Sequence, residues 1–86
     1  MSQKEKLLRR LLSKPKDFTF EDLITLFGYF DYYIKNPGKT GGSRITFVNI
    51  HDKGDYIRLH KPHPGNVLKP YQVESVVMDL KERRLL

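Results

Sequence analysis

The sequence predicts a small α+β fold, in which helices cover one face of a three-stranded antiparallel sheet. Two hydrophobic periods predict it. Apolar residues alternate with polar ones in three segments, around Phe30, Ile45 and Ile57. They recur every three to four residues in segments around Ile24 and Val76. With 86 residues, the chain has room for one domain with one modest core, which we expect to span residues 1–86.

The chain begins with a predicted basic amphipathic helix from Lys4 to Leu12. Four leucines share one side at helical spacing, and basic residues surround them. Pro15 then ends the helix, because proline cannot continue the hydrogen-bond ladder. A leucine stripe of this kind is more typical of a helix that docks on its own domain than of a membrane-surface helix. We therefore treat residues 1–17 as a helix and connection added to the domain.

A second helix is predicted from about Phe20 to Phe27. Thr19 is a candidate N-cap, and Asp22, three residues on, completes a capping-box pattern. Gly28 is expected to end the helix in a left-handed conformation. The predicted core-facing stripe consists of Phe20, Leu23, Ile24 and Phe27.

Three strands and a final helix follow. Period-two segments predict strands at Tyr29–Lys35, Ser43–Ile50 and Tyr56–His60. Pro70 suits the first turn of the last helix, whose apolar positions recur at helical spacing. The residues expected to be buried are Leu23, Phe27, Ile45, Phe47, Ile57, Leu59, Val73, Val76, Val77 and Leu80.

The composition favours an anionic partner. The formal net charge is +6 and the isoelectric point is near 9.7, which suits nucleic acid, an acidic protein surface or anionic lipid. The chain has no cysteine, so it forms neither a disulfide nor a thiolate metal site. No apolar run approaches the roughly 20 residues that cross a membrane. We expect a cytoplasmic protein.

Two familiar sites fit poorly. Gly38-Lys39-Thr40 has the end of a phosphate-binding P-loop, but Tyr33 stands where the required first glycine belongs. His60 and His63 have a spacing that could bind zinc. Zinc needs three or four ligands, and no cysteine is available to complete the set.

Two further motifs resemble those of a known family. The segment from Gly38 to Phe47 reads Gly-Lys-Thr-Gly-Gly-Ser-Arg-Ile-Thr-Phe and opens the second strand. The segment from His63 to Pro70 reads His-Pro-Gly-Asn-Val-Leu-Lys-Pro and enters the last helix. Together they resemble the HicA family of mRNA interferase toxins, over roughly Thr19 to Leu86. The resemblance implies a double-stranded-RNA-binding-domain-like fold, single-stranded or messenger RNA as ligand, and a HicB-like antitoxin as partner.

One position departs from the family pattern. The family carries its catalytic histidine directly after the serine of the glycine-rich motif, and here Arg44 follows Ser43. The resemblance therefore supports RNA binding more strongly than it supports cleavage. Two functions stay open: a metal-independent endoribonuclease, or a non-catalytic RNA-binding or protein-binding module of the same fold.

The residues that could cleave RNA are two histidines and an arginine. When the 2′-hydroxyl of RNA attacks the adjacent phosphorus, no metal or cofactor is needed if a base, an acid and a positive charge are present. His60 and His63 could transfer the protons, and Arg44 could hold the phosphate. Of the two histidines, His63 best matches the family's second motif. Alternatively, all three are ordinary strand and loop residues whose side chains are solvated.

Further RNA contacts are expected around the two motifs. Basic side chains there could neutralise phosphates, and the serine matches the family's glycine-rich turn. These candidate RNA-binding residues are Lys39, Ser43, Arg58, Lys61 and Lys69.

Overall fold

A computed structural model describes residues 2–35, 44–62 and 65–86. These residues form three helices and one three-stranded antiparallel sheet. The elements are α1 (Gln3–Leu12), α2 (Phe20–Tyr29), β1 (Tyr32–Lys35), β2 (Arg44–Asn49), β3 (Tyr56–His60) and α3 (Pro70–Glu82). The predicted α+β class and the bounds of β3 are confirmed, as is Pro70 at the start of α3.

The sheet has the order β1-β2-β3, with antiparallel pairing throughout. Phe47 is the centre of its apolar face, because it lies opposite Ile34 on one side and Ile57 on the other. Phe47 is fully buried and meets the ring of Phe27 edge-on, with 4.7 Å between centroids. The helices therefore cover the face on which Phe47 lies.

The core extends from the sheet into all three helices. Its fully or almost fully buried members are Leu11, Phe18, Phe20, Leu23, Leu26, Phe27, Tyr32, Phe47, Ile57, Leu68, Val73, Val76 and Leu80. Three residues expected there, Ile45, Leu59 and Val77, are only partly buried. Ile45 and Leu59 lie opposite each other, one residue from where the two strands end. The alternation of apolar residues correctly placed Ile45 and Leu59 on the core face of the sheet. It does not show how much of that face the helices cover.

The end of α2 differs from the sequence expectation. Gly28 lies inside the helix, which runs to Tyr29, and Phe30 follows it as the C-cap. Asp31 takes the left-handed conformation instead, with φ of 69°. Aspartate tolerates this region better than most residues, because its short polar side chain bonds locally. The strand consequently begins at Tyr32, so the predicted start of β1 was too early.

The core-facing stripe of α2 also needs one correction. Ile24 is 36% exposed, whereas Leu26 is fully buried. From Phe20 the buried stripe takes the three-residue step to Leu23 and not the four-residue step to Ile24. From Leu23 both steps reach buried residues, Leu26 and Phe27, and both steps satisfy a helical period. Ile24 therefore lies at the solvent edge of the helix.

The predicted start of α2 is confirmed and also holds α1. The Thr19 hydroxyl accepts from the backbone N–H of Asp22 at 3.0 Å, and the Asp22 carboxylate accepts from that of Thr19 at 3.1 Å. Arg10 of α1 donates to the same carboxylate at 3.1 Å. Leu11 is fully buried. The expected docking of α1 on the domain is therefore confirmed, although Leu12 remains 46% exposed.

Within the described residues, no helix has the length and apolarity to cross a bilayer.

A polar cluster joins the end of α3 to the sheet. Arg83 donates to the carboxylate of Asp55 at 2.9 Å and to the carbonyl oxygen of Tyr56 at 2.9 Å. The hydroxyl of the buried Tyr32 donates to the other oxygen of Asp55. Burial alone would raise the pKa of Asp55, but the bonds from Tyr32 and Arg83 outweigh burial and hold the pKa below its usual value.

This cluster predicts a specific dependence of stability on pH. Because the folded-state pKa of Asp55 is lowered, its carboxylate stabilises the native state above the unfolded pKa of about 4. That stability is lost as the pH falls through the folded value. We expect Asp55→Asn to lower the free energy of unfolding by about 1–3 kcal/mol at pH 7, as for a lost charged hydrogen bond. The difference should shrink below pH 4, as measured by urea unfolding.

Asp52→Asn is the matched control in the same hairpin. Asp52 is exposed, and its side-chain oxygen accepts from the N–H of Gly54 at 3.0 Å, which asparagine can still do. This variant should unfold like the wild type at both pH values. If the difference in the free energy of unfolding between Asp55→Asn and the wild type stayed constant across the pH range, the stabilising role given to the Asp55 carboxylate would be wrong.

Candidate nucleic-acid interface

The face of the sheet opposite the helices carries the basic residues of the strands. Strand side chains alternate between faces, so the neighbours of the core residues point away from the helices. We call this surface the open face; its residues are Tyr33, Lys35, Arg44, Thr46, Val48, Tyr56, Arg58 and His60. All three strands are described, and none of these positions is acidic. The open face is therefore positively charged.

Arg44 and His60 form one cross-strand pair on this face. They are register partners at the matching ends of β2 and β3, and both are exposed. Asn49 donates its N–H to the carbonyl oxygen of Asp55 at 3.0 Å, which makes that pair a hydrogen-bonded one. Pairs alternate in type along an antiparallel ladder, so Arg44 and His60 are a non-hydrogen-bonded pair. Side chains of such pairs approach most closely, with about 4.5 Å between Cα atoms.

The next row of the open face adds two more cations. Thr46 of β2 lies between Lys35 of β1 and Arg58 of β3. The guanidinium of Arg58 stacks over the ring of Tyr56, 4.9 Å from its centroid. Two successive rows thus present a lysine, two arginines and a histidine, and this spacing suits a chain of phosphates better than one isolated anion.

A buried amide fixes the backbone at His60. Gln72 is only 5% exposed, and its side-chain N–H donates to the carbonyl oxygen of His60 at 2.8 Å. Its side-chain oxygen accepts from the backbone N–H of Lys69 at 2.9 Å. One side chain therefore joins the end of β3 to the start of α3. The connection that follows His60 is held at both ends.

The same connection is also fastened to the start of α2. Leu68 donates its N–H to the carbonyl oxygen of Phe18, and Phe20 donates to that of Asn66, both at 2.8 Å. Gly65 takes a φ of 83°, which is accessible to glycine at little cost. Pro62 is buried. The described parts of the connection are thus anchored to two helices, and this suits a loop that presents functional side chains.

The predicted site residues divide into three groups. Arg44, Arg58 and His60 share the open face. Lys61 alternates to the other side, and its ammonium lies 6.0 Å from the ring centroid of Phe20. Lys69 is exposed at the N-terminus of α3, where Gln72 joins its backbone to that of His60. The remaining candidates, Lys39, Ser43 and His63, lie outside the described residues.

A small groove that the sequence did not predict lies between β3 and α3. It has a volume of about 190 Å³, and its lining includes His60, Tyr71, Ser75 and Asp79. Burial raises the pKa of Asp79 above its usual value, although Arg83 partly opposes this. The spacing of Tyr71, Ser75 and Asp79, four residues apart, places them on one side of a helix. This spacing could have indicated from the sequence that the three side chains lie together. Only the fold shows that they lie beside His60.

The arrangement can bind a phosphate and move a proton. Arginine offers a planar pair of donors to phosphate oxygens, and histidine transfers protons near neutral pH. Within the described ranges, no three histidine or acidic side chains are close enough to hold a metal ion.

Comparison with protein-family models, curated proteins and solved structures gives no significant match for this chain.

The Gln72 bridge predicts a measurable effect on stability. We expect Gln72→Met to lower the free energy of unfolding by about 1–3 kcal/mol, because it leaves the oxygen of His60 and the N–H of Lys69 without this partner. Urea unfolding measures the change, and hydrogen exchange at the Lys69 amide should become faster. Glu74→Met is the control, since Glu74 is an exposed position of the same helix. Unchanged stability and exchange in Gln72→Met would contradict the role given to this amide.

Proposed function

We propose that this chain binds single-stranded RNA on the open face and cleaves it without a metal ion. The observation that carries the proposal is the cross-strand pair of Arg44 and His60. It sets a phosphate-binding group directly beside a proton-transfer group, on a face whose described positions carry no carboxylate. The overall basic charge adds a general attraction for a polyanion.

The fold family and the protein family of this chain are also part of the proposal. The order helix, three strands, helix resembles the double-stranded-RNA-binding-domain-like fold, and the two sequence motifs resemble those of HicA toxins. On this proposal the protein is a cytoplasmic mRNA interferase. A HicB-like antitoxin would neutralise it, and an acidic surface on that antitoxin would complement the basic open face.

The proposed reaction is a transesterification within RNA. The 2′-oxygen loses its proton to a base and attacks the adjacent phosphorus. The 5′-oxygen of the next nucleotide leaves with a proton from an acid, so the products are a cyclic 2′,3′-phosphate and a 5′-hydroxyl. Arg44 binds the non-bridging oxygens, and His60 and His63 share the two proton transfers. Arg44 itself cannot act as the base, because an arginine side chain in a protein stays protonated and has no acceptor.

A second candidate function follows from Arg44 itself. It stands where the HicA motif carries its catalytic histidine, so the site has exchanged a proton-transfer group for a permanent cation. A fixed positive charge improves phosphate binding and contributes nothing to general base catalysis. The alternative is therefore a non-catalytic RNA-binding or protein-binding module, in which Arg44 is the main phosphate contact.

Cleavage by the purified chain tests the proposal. We expect a labelled single-stranded RNA to be cut in the presence of EDTA and to end in a cyclic phosphate or 3′-phosphate. His60→Ala and His63→Ala should each lower the rate by about 10²–10⁴-fold, as for a general acid or base. RNA affinity should change little, because proton transfer acts in the transition state.

His51→Ala is the matched control. His51 lies in the hairpin at the opposite end of β3 from His60, and its ring nitrogen lies 3.1 Å from a carboxylate oxygen of Asp31. This variant should cleave like the wild type. Full activity in the His60→Ala/His63→Ala double variant would refute the mechanism. Tight binding without cleavage by the wild type would instead favour the binding module.

A further inference from the structure

The open face ends in an apolar cleft at the strand ends distant from Arg44 and His60. The cleft has a volume of about 460 Å³, within the usual range for ligand sites. Tyr33, Val48 and Ile50 supply its apolar lining, and Lys35 and Lys53 also line it. We call this site the aromatic cleft. Tyr33 is 50% exposed and Ile50 is 58% exposed, so large apolar side chains stand in water here.

The aromatic cleft continues the rows of the open face. Val48 lies directly opposite Tyr33 on one side and Tyr56 on the other. Val48 is four positions along β2 from Arg44, which corresponds to about 13 Å along an extended strand. A strand of RNA that contacts Arg44 with one phosphate can therefore extend over Arg58 and reach the cleft.

The ring of Tyr33 is held in position before any ligand binds. Its hydroxyl donates to the carbonyl oxygen of Gly28 at 3.4 Å. A methyl group added at Gly28 would lie 3.8 Å from the Tyr33 ring, so the ring packs against α2 at that glycine. A fixed and half-exposed ring loses little conformational entropy when another flat group stacks on it.

We propose that the aromatic cleft is a stacking subsite for an unpaired base of RNA. Aromatic side chains and arginine planes stack on every base, and this surface offers Tyr33 together with the Arg58–Tyr56 stack. The lysines Lys35 and Lys53 provide charge for the flanking phosphates. This inference rests on the proposed RNA-binding function and adds where a base of the bound RNA lies beyond Arg44.

Charge favours RNA over a protein as the occupant. A protein partner would cover the apolar residues equally well, but it would have to neutralise the lysines and Arg58 at the same surface. A nucleic acid satisfies both requirements with one repeating unit, since each base carries an apolar face and each phosphate a negative charge.

Abasic oligonucleotides separate base stacking from phosphate contact. The full chain is titrated with a single-stranded RNA and with an abasic strand of the same length, at one salt concentration. We expect the wild type to bind the base-containing strand about 5- to 150-fold more tightly, which is the range of one stacked base. Tyr33→Leu should reduce that ratio towards one without changing the affinity for the abasic strand. Tyr33→Phe, which keeps the ring, should preserve the ratio.

Tyrosine fluorescence gives a second readout that a merely structural role would not change. The chain has five tyrosines and no tryptophan, so its emission reports tyrosine alone. Base-containing RNA should quench the wild type more than it quenches Tyr33→Leu, and the abasic strand should quench neither. A circular dichroism spectrum of each variant confirms that it is folded.

The outcomes distinguish this inference from the proposed function. Equal wild-type affinity for both strands would overturn the stacking subsite and leave RNA binding intact. An unchanged ratio in Tyr33→Leu would also overturn it, as expected if a protein partner occupies the cleft. Binding of neither strand by the wild type would remove the proposed function, and this inference with it.

Discussion

The register between β2 and β3 is the constraint on which the rest of the structure depends. Phe47 opposite Ile57 fixes it, because both side chains must lie under the helices to be buried. A slip of one residue would turn every side chain of a strand to the other face. The same register places Arg44 opposite His60 on the open face. Burial of apolar side chains on one face thus determines the arrangement of charges on the other.

The two outer strands have different roles in the domain. The edge of β3 is held by α3, since Gln72 bonds the carbonyl oxygen of His60 and Arg83 bonds that of Tyr56. These two bonds anchor β3 at both of its ends, including the end beside the site. At β1, the side chain of Tyr33 reaches back to α2 and forms part of the aromatic cleft. The anchored edge therefore carries the proposed chemistry, and the edge at β1 carries the proposed stacking subsite.

Much of the fold was predictable, because short-range patterns determine it. The capping box at Thr19 and the period-two segment of β3 predicted their elements correctly. The end of α2 was not predictable from glycine preference, because Asp31 rather than Gly28 takes the left-handed turn. For the site, alternation alone put Arg58 and His60 on the same face. Their juxtaposition with Arg44 needs the register, and the role of Gln72 needs the packing of α3 against β3, which no local pattern contains.

Salt dependence of RNA affinity tests most directly whether the open face binds RNA. Affinity of the full chain for a single-stranded RNA is measured over a series of salt concentrations. For single strands, each neutralised phosphate contributes about 0.7 to the slope of log affinity against log salt. We expect Arg44→Gln and Arg58→Gln each to reduce the slope by about that amount. Arg9→Gln, a change at an exposed position of α1, should leave the slope unchanged. Equal slopes in all four proteins would contradict the account.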